Sequence, residues 1–179
     1  MSKILVVGAN GTVGSHLVSE LTKAGQQVLK ATSKKAQNSG EVHLNLLTQE
    51  GLDQAVAQAD KIFLLSPPGY TNQHEILIPI IKKAQEKKIK KVVLMTAMGA
   101  DAVDEAPFRK VEKFLEKSGL TYNIIRPNWF MQNFNTFWIH GIKTQQKIFS
   151  PRPFRGGAGG GVLSCFMISP RESAEGQRR

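Results

Sequence analysis

Seven residues, Gly8-Ala9-Asn10-Gly11-Thr12-Val13-Gly14, have the types and spacing to hold a diphosphate. Gly8 lets the chain turn sharply as it leaves a strand. Gly11 has no Cβ, so backbone can approach a pyrophosphate. Gly14 allows a helix to pack close against a sheet. The free N–H groups and positive dipole end of that helix are the phosphate ligands. The spacing is G-x-x-G-x-x-G rather than the commoner G-x-G-x-x-G. Asn10 is placed to brace the turn through its side chain, so Gly8, Asn10, Gly11, Thr12, Val13 and Gly14 form the expected cradle. The alternative is a tight turn that binds nothing.

Three further stretches carry candidate contacts. Thr32-Ser33-Lys34-Lys35 stands where a carboxylate would accept bonds from the ribose hydroxyls of NAD. Hydroxyl and ammonium groups there suit a 2′-phosphate instead, which favours NADP over NAD; the alternative is that the lysines are loop charges. Asn45 and Leu46 follow a third strand, where an amide and an apolar side chain meet an adenine edge, or where an Asn caps the next helix. Ser66-Pro67-Pro68-Gly69-Tyr70 forms a loop at a strand's carboxyl end, and Tyr70 either touches a ligand or packs within the loop.

Alternating apolar runs and amphipathic stretches must position these residues. Strands are expected at Ile4–Val7, Gln27–Ala31, Glu41–Leu46, Lys61–Ser66, Lys91–Thr96 and Thr121–Arg126. Between them lie a helix from Val13 with Val13, Leu17, Leu21 and Ala24 inward, one at Gln49–Ala57, one near 71–88 with a kink at Pro79, and one at Phe108–Ser118. An aromatic helix is expected from Pro127-Asn128-Trp129-Phe130 to about Gly141. This pattern gives an α/β doubly wound parallel sheet, a Rossmann fold with strand order 3-2-1-4-5-6.

The chain has 179 residues, 41% hydrophobic, enough for one domain with a real core. No apolar run is long enough to span a bilayer, and there is no signal-type h-region, so a cytoplasmic protein is expected. The single cysteine, Cys165, excludes an internal disulfide. The formal charge of +10 is concentrated in KKAQEKKIKK at 82–91, which reads as the solvated side and end of a helix. Nucleic-acid binding is not expected; steering of anionic small molecules is.

GANGTVG, the Asn45-Leu46-Leu47 run, LSPP, VVLMTAMGA and VEKFLEKSGLTYNIIRPNWFMQN together resemble NmrA-like atypical short-chain dehydrogenase/reductases, over about residues 2–149. The resemblance implies an NAD(P)H-dependent reductase of quinones or dyes, or a redox-sensing regulator that binds the dinucleotide without turnover. It places the pyrophosphate on residues 8–14, the 2′-phosphate at Ser33 and Lys34, and adenine at Asn45 and Leu46. Leu65, Ser66 and Pro67 line the ribose side, Thr96 and Ala97 reach the nicotinamide, and Pro127, Asn128 and Phe130 border its pocket. The Tyr and Lys of the Y-x-x-x-K pair are replaced by Asp104 and Phe108, which removes the usual acid for alcohol–ketone interconversion.

From Pro151 the composition changes. Residues 1–150 hold 17 Lys and 2 Arg, whereas 151–179 hold 5 Arg, no Lys and six of the chain's 16 glycines. Residues 1–150 are expected to form the dinucleotide domain and 151–179 a poorly structured Gly/Arg-rich tail. The switch reads as another reading frame or an appended segment, in place of the family's substrate-binding portion; the alternative is a natural divergent tail. Trp129, Phe130, Phe134, Phe137 and Trp138 are then left to promote self-association.

Overall fold

The computed structural model describes residues 2–128, Phe130 and 139–145. Six parallel strands form one sheet in the order β3-β2-β1-β4-β5-β6: β1 (Lys3–Val6), β2 (Gln27–Thr32), β3 (Glu41–His43), β4 (Lys61–Leu65), β5 (Lys91–Met95) and β6 (Tyr122–Ile125). The register pairs Leu5 with Leu29 and Ile62, and Leu94 with Leu64 and Ile124. This is the doubly wound Rossmann arrangement expected from the sequence. The order reverses between β1 and β4, and the cleft opens at that switch point.

Alternation along each strand sorts side chains onto two faces. Leu5, Ile62, Leu64, Val92, Leu94 and Ile124 face α2 (Leu52–Ala57), α3 (Gln73–Glu86) and α4 (Pro107–Glu116). There Ile76, Leu77, Ile80, Ile81 and Ala84 of α3 and Val111 and Leu115 of α4 complete the main core, all of them buried. On the other face Val6, Ala9 and Phe63 centre a smaller cluster. The helix α1 (Thr12–Lys23) packs Val13, Leu17, Val18 and Leu21 against that cluster. Ala24, expected on this face, is instead the exposed C-cap of α1.

Two boundaries differ from expectation for one local reason. The third strand stops at His43 instead of Leu46, and α2 begins at Leu52 instead of Gln49. Gln49 and Gly51 have φ of 61° and 80°, so the chain turns through left-handed backbone where a helix start was expected. The Gln49 amide donates to Leu46 O at 2.6 Å and to Ile76 O at 3.2 Å, which ties this turn to α3. The third helix runs through Pro79 as a single element. Of the expected aromatic helix, Trp129 and residues 131–138 lie outside the described residues; α5 occupies Ile139–Gln145. The segment 151–179 also lies outside them. No helix among the described residues is long and apolar enough to cross a membrane.

Candidate functional site

The chain leaves β1 through Val7, and Gly8 adopts φ +73°, a conformation that disfavours any side chain. Gly11 N–H donates to Gly8 O at 2.9 Å and closes the turn. The brace is therefore backbone; Asn10, expected to supply it, is exposed and makes no side-chain bond among the described residues. Gly14 is buried against the turn: a Cβ there would lie 2.0 Å from Gly8 O and 2.8 Å from Ala9 Cα. Ser15 N–H makes the first helical bond, to Gly11 O, and no side chain caps the helix. The N–H groups of Thr12, Val13 and Gly14 thus emerge from the end of a 12-residue helix without partners among the described residues. No acidic residue occupies that first turn. A diphosphate fits this arrangement in charge and in hydrogen-bonding sense.

The turn forms the floor of a cleft of about 830 Å³, within the range of small-molecule sites. Gly8, Asn10, Gly11, Thr12, Val13, Gly14, Ser33, Lys34, Asn45, Leu46, Leu65, Pro67 and Phe130 line it, as do Tyr70 and Met95. Lys34 is the one charged side chain among these lining residues. Its strand end is well held: Lys34 N–H donates to Thr32 Oγ1 at 3.3 Å, and His43 Nδ1 lies 2.9 Å from Lys34 O. Asn45 Oδ1 accepts from the N–H groups of Leu47 and Thr48 at 3.0 and 3.3 Å. These bonds close a turn ahead of α2, whose N-cap is Gly51 with no side-chain cap bond, so Asn45 does not cap that helix; they leave the Asn45 NH₂ for a ligand.

Five expected site residues do not line the cleft. Ser66 turns its hydroxyl to Pro67 O at 3.1 Å. Ala97 is exposed, Pro127 is buried and Asn128 is half-buried. Thr96 is buried, and its hydroxyl donates to Glu112 at 2.8 Å. The period of two explains this: Thr96 shares the core face with Val92 and Leu94, and Met95 takes the cleft face.

Thr96 joins a buried charged group that no short motif marks. Glu112, with a fully buried side chain, accepts from Arg126 Nε at 2.9 Å and Nη2 at 2.6 Å and from Arg109 Nη1 at 3.1 Å. Arg126 also pairs with Asp101, and Arg109 with Glu116. Burial pushes the Glu112 carboxyl upward, but the bonds from Arg126 and Thr96 outweigh it and hold the group below the ordinary range. Two signals in the sequence point to this network. Glu112 occupies the inward stripe with Phe108, Val111 and Leu115, and Arg126 shares the alternation of Ile124. By contrast, Asp104 and Phe108, in the places of the Tyr and Lys, lie outside the cleft: Asp104 is exposed and pairs with Lys113 at 2.8 Å, and Phe108 packs on the core. Among the described residues no group of His, Cys, Asp and Glu is arranged to hold a metal.

A parallel sheet reversing at a glycine turn, with an unpaired helix end in a cleft, defines a dinucleotide-binding protein. Residues 8–148 match the family described as NAD(P)H-binding, and the chain belongs to it. It is similar to prestalk A differentiation protein A of Dictyostelium discoideum, 29% identical over 78% of this chain and 49% of that one. It is also similar to the uncharacterized oxidoreductase YesF of Bacillus subtilis, 32% identical over 81% of this chain and 51% of that one. The chain thus spans about half the length of these curated relatives. Among solved structures, the NADPH-dependent quinone oxidoreductase QOR2 of Escherichia coli, complexed with NADPH, superposes with a TM-score of 0.67 at 19% identity, over 79% of this chain and 54% of that one. That likeness shows the fold.

Proposed function

We propose that this chain carries the dinucleotide-binding portion of an NADPH-dependent oxidoreductase acting on a quinone-like or dye-like acceptor. Lys34 beside Ser33, with no carboxylate among the cleft residues, is the observation that carries the NADP assignment. The N–H groups of Thr12, Val13 and Gly14 hold the diphosphate, and Ser33 and Lys34 take the 2′-phosphate. Leu46 and the Asn45 NH₂ meet adenine. Leu65 and Pro67 flank the ribose, and Met95 and Phe130 give the far half of the cleft an apolar wall that excludes water. When bound, NADPH supplies a hydride. Asp104 and Phe108 stand in the places of the Tyr and Lys and lie outside the cleft, so an electron-poor acceptor, which needs less acid catalysis, suits the site. The likeness to a quinone oxidoreductase fold agrees with this acceptor class.

A second reading, a redox-sensing regulator that binds NADP without turnover, draws on the same replacement of the Tyr and Lys by Asp104 and Phe108. The two separate by assay. Acceptor-dependent NADPH oxidation with a soluble quinone supports the enzyme; binding with no oxidation supports the regulator. For cofactor choice, Lys34→Glu is expected to weaken NADPH by about 10- to 100-fold and NADH by little, because a carboxylate repels the 2′-phosphate and welcomes ribose hydroxyls. Paired titrations of both nucleotides check this. Equal affinities in the variant and the parent would remove Lys34 from the assignment.

A further inference from the structure

We propose that Glu112 and Arg126 act as a positioning pair, setting the cleft wall against which the nicotinamide half of the dinucleotide lies. The proposal rests on the reading of the cleft as a dinucleotide site and deepens it. In a doubly wound sheet the two halves of a dinucleotide divide at the switch point, so the half beyond β1 falls to β4, β5 and β6. One buried carboxylate joins the ends of the last two. Its Oε1 accepts from Thr96, next after β5, and from Arg126 Nε, next after β6, at 2.8 and 2.9 Å. Its Oε2 takes the second arm of the Arg126 fork at 2.6 Å. Backbone bonds continue the join, from Thr96 N–H to Ile125 O at 2.9 Å and from Met98 N–H to Pro127 O at 3.0 Å.

The immediate neighbours of these anchors are the wall. Met95, beside Thr96, lines the cleft, and Phe130 lines it four residues after Arg126. A two-armed contact fixes the direction of the guanidinium plane as well as its distance. Val111 and Leu115, both fully buried, already hold α4 to the sheet. Buried ion pairs add little stability over apolar packing, so holding two strand ends in register is the role left for this one.

The test compares two probes on the full chain: NADPH, and adenosine 2′,5′-bisphosphate, which lacks the nicotinamide half. In Glu112→Gln, NADPH affinity is expected to fall about tenfold while the bisphosphate binds as in the parent, because only the far wall shifts. Thr96→Val, which keeps every charge, is expected to show the same split at about threefold, and Thr96→Ser to restore parental binding. These variants also decide the matter if Glu112→Gln does not fold. Equal losses for both probes, or no loss of NADPH affinity in either variant, would overturn the proposal. A folded parent chain that binds neither probe would instead overturn the dinucleotide reading, and this proposal with it.

Discussion

Gly14→Ala is expected to weaken dinucleotide binding by orders of magnitude while leaving the sheet in place. The added Cβ would sit 2.0 Å from Gly8 O and 2.6 Å from Gly8 C, both backbone atoms that no rotamer change can move aside. An ordinary contact needs more than a further ångström, so the first turn of α1 must lift from the glycine turn. That lift carries the N–H groups of Thr12, Val13 and Gly14 with it. Hydrogen bonds to a charged group contribute about 1.5–3 kcal/mol each, so losing two weakens binding by about 10²- to 10⁴-fold. Far-ultraviolet circular dichroism and a nucleotide titration on one sample check the claim. A variant with parental NADPH affinity would show that the helix end does not contact the diphosphate.

The second large effect concerns stability. Glu112→Ala removes the acceptor from two guanidinium groups, of which Arg126 is only 11% exposed and Arg109 19%. Stranding such partners typically costs about 3–5 kcal/mol; these two retain some access to water, which places the expected loss near about 3 kcal/mol. In a domain of this size that lowers Tm by about 6–12 °C. The acid limb of stability supplies a second readout. The Glu112 carboxyl is held below its ordinary value of 4.5, so its contribution is complete above that value and disappears as pH falls through the lowered one. Arg109 and Arg126, both shifted upward, stay charged throughout. Asp101, Asp104 and Glu116 border the same arginines and are common to both chains. Melting curves from pH 7 to pH 3, with Glu112→Gln as the neutral comparison, should therefore converge as the pH drops. A constant gap between the parent and Glu112→Gln across that range would contradict the assignment of the charge to Glu112.

The fold was legible in the sequence because its signals are local. A buried run, a glycine turn and an amphipathic helix define the first βα unit, and repeating the alternation settles a parallel sheet and its order. Element ends were less legible. Nothing about Gln49 as a residue type announces a positive φ; the turn forms because its amide finds carbonyls on both sides of a tertiary contact. The glycine turn, Ser33, Lys34, Asn45 and Leu46 come together in one cleft. Thr96 does not join them, since the residue that follows β5 keeps the core-facing parity of Val92 and Leu94. The Glu112 network was readable in principle, as a lone acid on an apolar stripe and a lone cation on an inward strand position. Joining the two requires knowing that β6 lies beside β5, which only the assembled sheet supplies.

Hydrogen–deuterium exchange on the full chain, with and without saturating NADPH, tests the central claim most directly. Added nucleotide should slow exchange most strongly at the amides of residues 11–15, with a second protected stretch at residues 32–34. A folded chain whose amides in residues 11–15 exchange at the same rate with and without NADPH would contradict it, because the end of α1 would then hold no diphosphate.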